Sequence, residues 1–304
     1  MKIKTGDFEI YPLLDCYFRL DGGMMFRQAK VQWQNLYAPD ALNRIKLAAR
    51  CYLIKRKTLT LFDTGMGDPS DPMFGKIKGM PYKDFFSIDR TEGGLIRNMR
   101  MSGFAEKEVK FVAQSHLHLD HTGWHTQTDI CSEKIMPTFF NASYLVHDFE
   151  WSAAVTQHPL SLRSYRKESY ETLLSADPMW RIKFLWKVKG INIRGSRDDW
   201  FGVEPGLFLI RTGGHTKGHW SLLADGGKEK AFFPGDLMPT SKHISPANVM
   251  SYDLYPTRVY REKMKFLERA SREHWLILFD HDPDYIGGYV AKNQKGHFEF
   301  HPAC

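Results

Sequence analysis

The chain has 304 residues, of which 42% are hydrophobic, and it contains 21 Phe, 13 Tyr and 8 Trp. This composition supports a large buried core and excludes a mainly disordered chain. The formal net charge is +7. Residues 158–200 mix nine basic with five acidic residues, so a solvated face explains the charge better than a nucleic-acid groove does.

The sequence has no run of 18 apolar residues, and its first residues lead into the polar stretch Thr5-Gly6-Asp7. A membrane span and a secretory signal are therefore not indicated, and we expect a cytoplasmic protein. The four cysteines are far apart and form no CxxC pair. A disulfide framework or a thiolate zinc site is accordingly not expected.

The first predicted elements lead to an acidic turn. The pattern predicts a strand over 8–14, a turn at 21–23, a helical turn over 39–47 and a hairpin of 50–54 with 58–62. The hairpin ends at Asp63, which is followed by Thr-Gly. On sequence alone, Asp63 caps this turn.

The next elements are a helix over 92–101 and a strand over 109–113, which runs into Ser-His-Leu-His-Leu-Asp-His-Thr-Gly at 115–123. Alternate side chains of an extended segment share a face, so His116 and His118 can bind one ion. Beyond the strand, Asp120 and His121 can reach a second ion. Imidazole and carboxylate ligands favour zinc, with iron, cobalt and manganese as alternatives.

Three of the remaining predicted strands are followed closely by a histidine or an aspartate. Residues 139–146 resume the sheet, and the aromatic-rich residues 148–188 read as inserted helices. Strands follow at 191–193, 207–211, 221–224, 231–233 and 275–279, with a helix over 258–272. His215 follows the second of these strands, Asp236 the fourth, and His281 the last. Side chains at strand ends have a rigid scaffold.

The motif at 115–123, together with these ordered elements, resembles the signature of the metallo-β-lactamase superfamily over nearly the whole chain. The pattern is most similar to N-acyl-homoserine lactone lactonases. The resemblance implies a single α/β domain over 1–304, a four-layer αβ/βα sandwich. Two pseudo-symmetric halves would meet near 188–200, with a helical insertion at about 148–188.

The resemblance also implies a ligand set for two divalent ions, most often zinc. It assigns His116, His118 and His215 to the first ion, Asp120, His121 and His281 to the second, and Asp236 as the bridge between them. Asp63 would support the ligand loop by hydrogen bonding instead of binding an ion. A hydroxide bridging the two ions would be the nucleophile, and Asp120 could accept a proton.

The activity implied is hydrolysis of a lactone or a related ester, with a small-molecule substrate, no nucleic acid and no membrane. A homodimer is left open. Lactonases of this kind often have a tyrosine a few residues beyond the bridging Asp, which this chain lacks, so Tyr252, Tyr255 or His243 would replace it. Met24 and Phe26, after the Asp-Gly-Gly turn, are further substrate-contact candidates.

Two alternatives remain at this point. A phosphotriester hydrolase of the methyl parathion hydrolase kind would use the same ligand set. A metal-dependent sensor or binding module would bind the ions without turnover. The complete ligand set favours an enzyme over the second alternative.

Overall fold

The computed structural model describes residues 1–156, 164–175, 182–184 and 200–304. The chain divides into two compact units. The first unit comprises Met1–Ile3, Glu9–Phe18 and Ala49–Lys189, and the second comprises Lys4–Phe8, Arg19–Ala48 and Gly190–Cys304. The single domain stays a prediction, and its expected midpoint near 188–200 lies outside the described residues except for Trp200.

The described helices are mostly short. They are α1 (Gly22–Met25), α2 (Lys30–Trp33), α3 (Tyr82–Phe85), α4 (Leu95–Met101), α5 (Asp148–Thr156), α6 (Lys167–Ser175) and α7 (Pro256–Glu273). Among the described residues, no helix combines the length and the apolar character that crossing a membrane requires.

The strands up to residue 184 form a seven-stranded sheet and two small hairpins. They are β1 (Ile3–Thr5), β2 (Phe8–Asp21), β3 (Arg44–Lys55), β4 (Leu59–Phe62), β5 (Lys76–Ile77), β6 (Met80–Pro81), β7 (Phe111–Ala113), β8 (Thr126–Thr128), β9 (Ile135–Pro137), β10 (Ser143–Val146) and β11 (Ile182–Phe184). The sheet order is β1-β2-β3-β4-β7-β10-β11. Since β4 and β7 are parallel neighbours, Asp63 and the 115–123 motif leave the sheet at the same edge.

The second seven-stranded sheet has its strands in chain order. They are β12 (Trp200–Glu204), β13 (Leu207–Arg211), β14 (Trp220–Asp225), β15 (Lys230–Phe233), β16 (Leu276–Leu278), β17 (Gly287–Lys292) and β18 (Phe298–Pro302). Strand β14 is antiparallel to β13 and β15, and β16 is parallel to β15. Strands β13, β15 and β16 therefore run the same way, and His215, Asp236 and His281 follow them at one edge.

Each unit has its own apolar core. In the first, Leu61 and Val112 of the sheet pack with Leu95 and Met99 of α4. In the second, Phe232 of β15 stacks on Phe266 of α7 at a centroid distance of 4.9 Å. These contacts hold the strand ends in place, since well-packed interiors resist displacement.

Several predicted elements are confirmed. The hairpin of 50–54 with 58–62 is the antiparallel pair β3–β4, and the hairpin of 221–224 with 231–233 is β14–β15. The helices over 92–101 and 258–272 correspond to α4 and α7. All four patterns have clear periodicity, which reports local structure well.

Other elements differ from the prediction. The helical turn over 39–47 is wrong, because β3 begins at Arg44 and its Ile45 and Leu47 are buried while Lys46 is exposed. In 148–188, α5 and α6 are helical, but 182–184 form a strand because they pair with β10. Two strands, β17 and β18, follow the predicted last strand. The predicted strand 191–193 lies outside the described residues.

His125 provides a test of the first unit's core. Its side chain is buried, its Nδ1 donates to the carbonyl of Ser169 at 3.1 Å, and burial lowers its pKa from 6.5 to about 3. The unfolded chain binds a proton below pH 6.5 that the folded chain binds only near pH 3. Stability is therefore lost as the pH falls through this window.

We expect His125→Gln to reduce this acid sensitivity. Between pH 7 and pH 5, the histidine lowers the free energy of unfolding by about 2 kcal/mol, and glutamine removes that contribution. Urea unfolding of both proteins at the two pH values measures the difference. Equal losses in both proteins would contradict the buried neutral histidine.

Candidate metal centre

The three histidines after β7 are buried and adjacent. The ring of His116 lies 4.4 Å from that of His118 and 4.2 Å from that of His121, measured between centroids. Their exposed fractions are 0%, 6% and 1%. Buried imidazoles grouped in this way are a ligand set suited to a divalent ion.

Asp63 braces this group from the end of β4. Its carboxylate accepts hydrogen bonds from the backbone N–H of Ser115 at 2.7 Å, from Ser115 Oγ at 2.6 Å and from His121 Nδ1 at 2.9 Å. Its φ of 58° is in the left-handed region, which aspartate tolerates better than most residues. These hydrogen bonds support the role implied for Asp63, which stays a prediction.

These bonds also determine the tautomers. Because Ser115 Oγ donates to Asp63, it accepts from His116 Nδ1, 3.0 Å away. His121 Nδ1 likewise donates to Asp63. In both rings the proton is on Nδ1, so Nε2 carries the lone pair that a metal ion needs.

A second buried carboxylate, Glu150 of α5, holds the other side of the motif. It accepts from the backbone N–H of Leu117 at 3.0 Å and from the hydroxyl of Tyr165 at 2.9 Å. Neither the spacing nor the resemblance pointed to Glu150 or Ser115. Asp120 differs from the three histidines in being half-buried, and its carboxylate lies 3.9 Å from His121 Nε2.

In the second unit, His215 follows β13 through two glycines. Gly213 and Gly214 have φ values of 59° and 91°, and a Cβ on Gly214 would lie 2.6 Å from Val259 Cγ2. Only glycine permits this sharp bend against α7. The bend carries His215 away from the strand end.

The rings of His215 and His281 are fixed in the same way as those of the first unit. His215 Nδ1 donates to Asp253 at 2.9 Å, and His281 Nδ1 donates to the carbonyl of Ala48 at 2.8 Å. Their Nε2 atoms each lie 3.1 Å from a different carboxylate oxygen of Asp236. Asp236 therefore presents one oxygen to each imidazole.

This arrangement fits metal ions. An Nε2 lone pair facing a carboxylate oxygen is repulsive unless a cation or a proton lies between them. Metal bonds of about 2.0–2.2 Å to nitrogen and oxygen place two neighbouring ligand atoms about 3.0–3.5 Å apart, from octahedral to tetrahedral angles. The two oxygens of Asp236 are thus arranged as a carboxylate that bridges two ions would be.

The residues predicted to contact substrate differ in exposure. His243 is buried, Nδ1 bonds with Thr240 Oγ1 at 2.8 Å, and Nε2 bonds with the carbonyl of Met25 at 3.0 Å. Burial lowers its pKa to about 3, and its ring stacks on Phe26. These contacts favour a structural role for His243 and Phe26, whereas Met24 is exposed and Tyr252 is half-buried.

The hydrogen-bonding role predicted for His219 agrees with the geometry. His219 is buried, and its Nδ1 lies 2.7 Å from Thr212 Oγ1. This is the supporting hydrogen bond expected of it. Asp253, which holds His215, was not singled out from the sequence because it lies 38 residues further along the chain.

The chain has relatives of known name and structure. No protein-family model matches it. It is 27% identical to the N-acyl homoserine lactonase AttM of Rhizobium radiobacter over 200 residues, which is 65% of this chain and 66% of that protein. The chain thus spans just under two thirds of the length of this curated relative.

Solved structures match over almost the whole chain. A probable metal-dependent hydrolase from Staphylococcus aureus has a TM-score of 0.80 and 23% identity, with 99% of this chain and 100% of that chain covered. The hydrolase AbOPH of the β-lactamase superfamily has a TM-score of 0.72 and 20% identity. The dizinc quorum-quenching lactonase AidC has a TM-score of 0.71 and 21% identity. Both matches cover 100% of this chain and 97% of the other chain. The resemblance and the predicted α/β fold of the metallo-β-lactamase type are confirmed.

Replacing Asp63 tests how the ligand loop is held. We expect Asp63→Ala to lower the free energy of unfolding by about 2–4 kcal/mol, because it leaves buried donors without an acceptor. It should also weaken metal binding about 10–100-fold, since His121 loses its orienting partner. Urea unfolding and competition with a chelator measure the two effects.

Two control variants separate the causes. Asp63→Asn keeps an acceptor and tolerates a positive φ, so its effects should be smaller than those of alanine. Asp84→Ala, at an exposed position in α3, should change neither quantity. Wild-type metal affinity in Asp63→Ala would contradict the orienting role.

Proposed function

We propose that this protein is a hydrolase that opens lactones or cleaves related esters with the help of two divalent metal ions. Seven residues would hold the ions: His116, His118, Asp120, His121, His215, Asp236 and His281. The observation that carries the proposal is the geometry of Asp236, whose two oxygens each face the Nε2 of a different buried histidine at 3.1 Å.

The geometry within each unit supports the assignment of the ligands. In the first unit the rings of His116, His118 and His121 are buried neighbours, and in the second His215 and His281 each face one oxygen of Asp236. Their assignment to two ions follows the resemblance. A set of five imidazoles and two carboxylates without cysteine favours zinc, while iron, manganese and cobalt remain compatible.

When bound, two such ions would activate water at neutral pH and would polarise the scissile carbonyl. The chain's own residues then have defined tasks. His116, His121, His215 and His281 each direct Nδ1 at a fixed acceptor, so that Nε2 would be the ligand atom. Asp236 faces His215 and His281 with different oxygens, and the half-buried Asp120 would accept a proton.

A lactone is the favoured substrate class because the similar proteins AttM and AidC are named lactonases. Tyr252 would contact the substrate carbonyl in place of the tyrosine missing after Asp236. Its half-buried position agrees with this role, whereas both ring nitrogens of His243 are engaged by Thr240 and Met25.

Elemental analysis with a substrate panel tests the proposal. We expect about two ions per chain, hydrolysis of lactones, loss of activity with a chelator and recovery with zinc. Asp236→Asn should reduce kcat/KM by more than about 100-fold, because one carboxylate serves both ligand groups. His297→Ala, at an exposed histidine, is the matched control and should have wild-type activity.

The outcomes separate the alternatives. Hydrolysis of phosphotriesters without hydrolysis of lactones would favour the phosphotriester hydrolase. Two bound ions without turnover of any ester would favour a binding module. A metal-free protein would remove the proposal altogether.

Tyr252→Phe tests the substrate contact separately. We expect metal content to be unchanged and kcat/KM for a lactone to fall about 10–100-fold, since one hydrogen bond that strengthens in the transition state is lost. Tyr260→Phe, at an exposed tyrosine of α7, is the control. Undiminished turnover by Tyr252→Phe would exclude this role.

A further inference from the structure

Helix α7 buries a lysine in its apolar face. Val259, Phe266, Leu267 and Ala270 of this helix are buried, and Lys263 lies in the same stripe with an exposed fraction of 0%. A buried ammonium group is costly unless it is hydrogen-bonded or paired with a charge. An apolar side chain would fill the position without that cost, so the ammonium group needs a specific explanation.

The lysine ties α7 to the segment before it, which we call the 245–253 loop. Lys263 Nζ donates to the carbonyl of Ser245 at 2.9 Å and to that of Asn248 at 2.7 Å. The negative charge of Asp253 favours the ammonium form, against burial, which lowers the pKa of Lys263 to about 7. One cation thus fixes two carbonyls and lies in the field of a buried carboxylate.

The end of the 245–253 loop orients a proposed ligand. Asp253 accepts from His215 Nδ1 at 2.9 Å and from the backbone N–H of Met250 at 2.8 Å. The next residue, Leu254, donates its backbone N–H to the carbonyl of His215 at 3.0 Å. The position of His215 therefore depends on the conformation of this loop.

The same loop holds the 21–28 segment, which contains the Asp-Gly-Gly turn and α1. Four hydrogen bonds join them: Arg27 N to Val249 O (2.9 Å), Ser251 N to Met24 O (2.9 Å), Ser251 Oγ to Gly23 O (3.0 Å) and Gln28 Nε2 to Asn248 Oδ1 (2.6 Å). Two of the four use backbone atoms of the loop, Val249 O and Ser251 N. A change of loop conformation would consequently displace the 21–28 segment as well as His215.

We propose that Lys263 is a positioning residue of the metal centre, acting through the 245–253 loop. It holds the loop so that Asp253 orients His215 and the 21–28 segment stays docked. This inference rests on the proposed function, because the role of His215 as a ligand is part of that function. A lysine with only a structural role would affect stability but neither metal affinity nor the docking of the 21–28 segment.

The decisive variant is Lys263→Met, which keeps the volume and removes the cation. We expect the affinity of the apoprotein for Zn²⁺, measured by competition with a chelator, to fall about 10–100-fold, as for other residues that orient a metal ligand. Amide hydrogen exchange at Arg27 and Ser251 should become at least about tenfold faster, because their acceptors or positions depend on the loop. The melting temperature of the apoprotein should fall as well, because two carbonyls lose their donor and Asp253 loses a nearby charge, so the melting temperature alone does not decide the role.

Matched variants make the test specific. Lys265→Met changes an exposed lysine two residues along α7, whose partner Glu262 lies 3.8 Å away, and it should leave affinity and exchange unchanged. Lys263→Arg keeps a cation and should recover part of the lost affinity. If Lys263→Met does not fold, Lys263→Gln takes its place, with the same expected loss.

The readouts distinguish this inference from the proposed function. Metal affinity and hydrogen exchange need no turnover, so they decide the role of Lys263 even if the wild-type protein hydrolyses no lactone. Wild-type affinity and exchange in Lys263→Met would overturn the inference. A lowered melting temperature with unchanged affinity would also overturn it, because that is the result of a structural lysine.

Discussion

The candidate centre depends on one type of interaction, the hydrogen bond donated by histidine Nδ1 to a fixed, buried acceptor. The acceptors are Ser115 Oγ for His116, the carboxylate of Asp63 for His121, the carboxylate of Asp253 for His215 and the carbonyl of Ala48 for His281. Each bond fixes both the ring angle and the tautomer, so that Nε2 is the ligand atom. The rings are therefore already ordered in the folded chain, so the binding of an ion costs less conformational entropy.

The charges of the centre follow from the same bonds. Asp63, Asp236 and Asp253 are all buried, and buried carboxylates are stable only with hydrogen bonds or opposite charges. Asp63 has three donors, and Asp253 has two donors and the nearby cation of Lys263. Asp236 instead faces imidazole nitrogens that are themselves acceptors. A divalent ion would supply the positive charge that this carboxylate needs.

Much of the site was predictable because the ligand types follow strands with clear patterns. The pattern of Val109 to Ala113 and the HxHxDH run after it indicated the candidate ligands of the first unit, whereas the bridging role of Asp236 was implied only by the resemblance. The helical turn over 39–47 was wrong because the burial of Ile45 and Leu47 in β3 outweighs local propensity. Residues 182–184 form a strand because β10 offers them a parallel partner, and that partner is not visible in the local sequence.

The sequence by itself determined the chemistry of the ligands and their position at strand ends, because both are encoded in residue type and in patterns a few residues long. Tertiary structure decided which acceptor holds each ring. Ala48, which holds the ring of His281, is 233 residues away from it along the chain. Lys263, which lies near Asp253, occupies a position of α7 where the helical pattern predicts an apolar residue. Such partners are chosen when strands and helices pack, since a hydrogen bond depends on distance in space and not on separation along the chain.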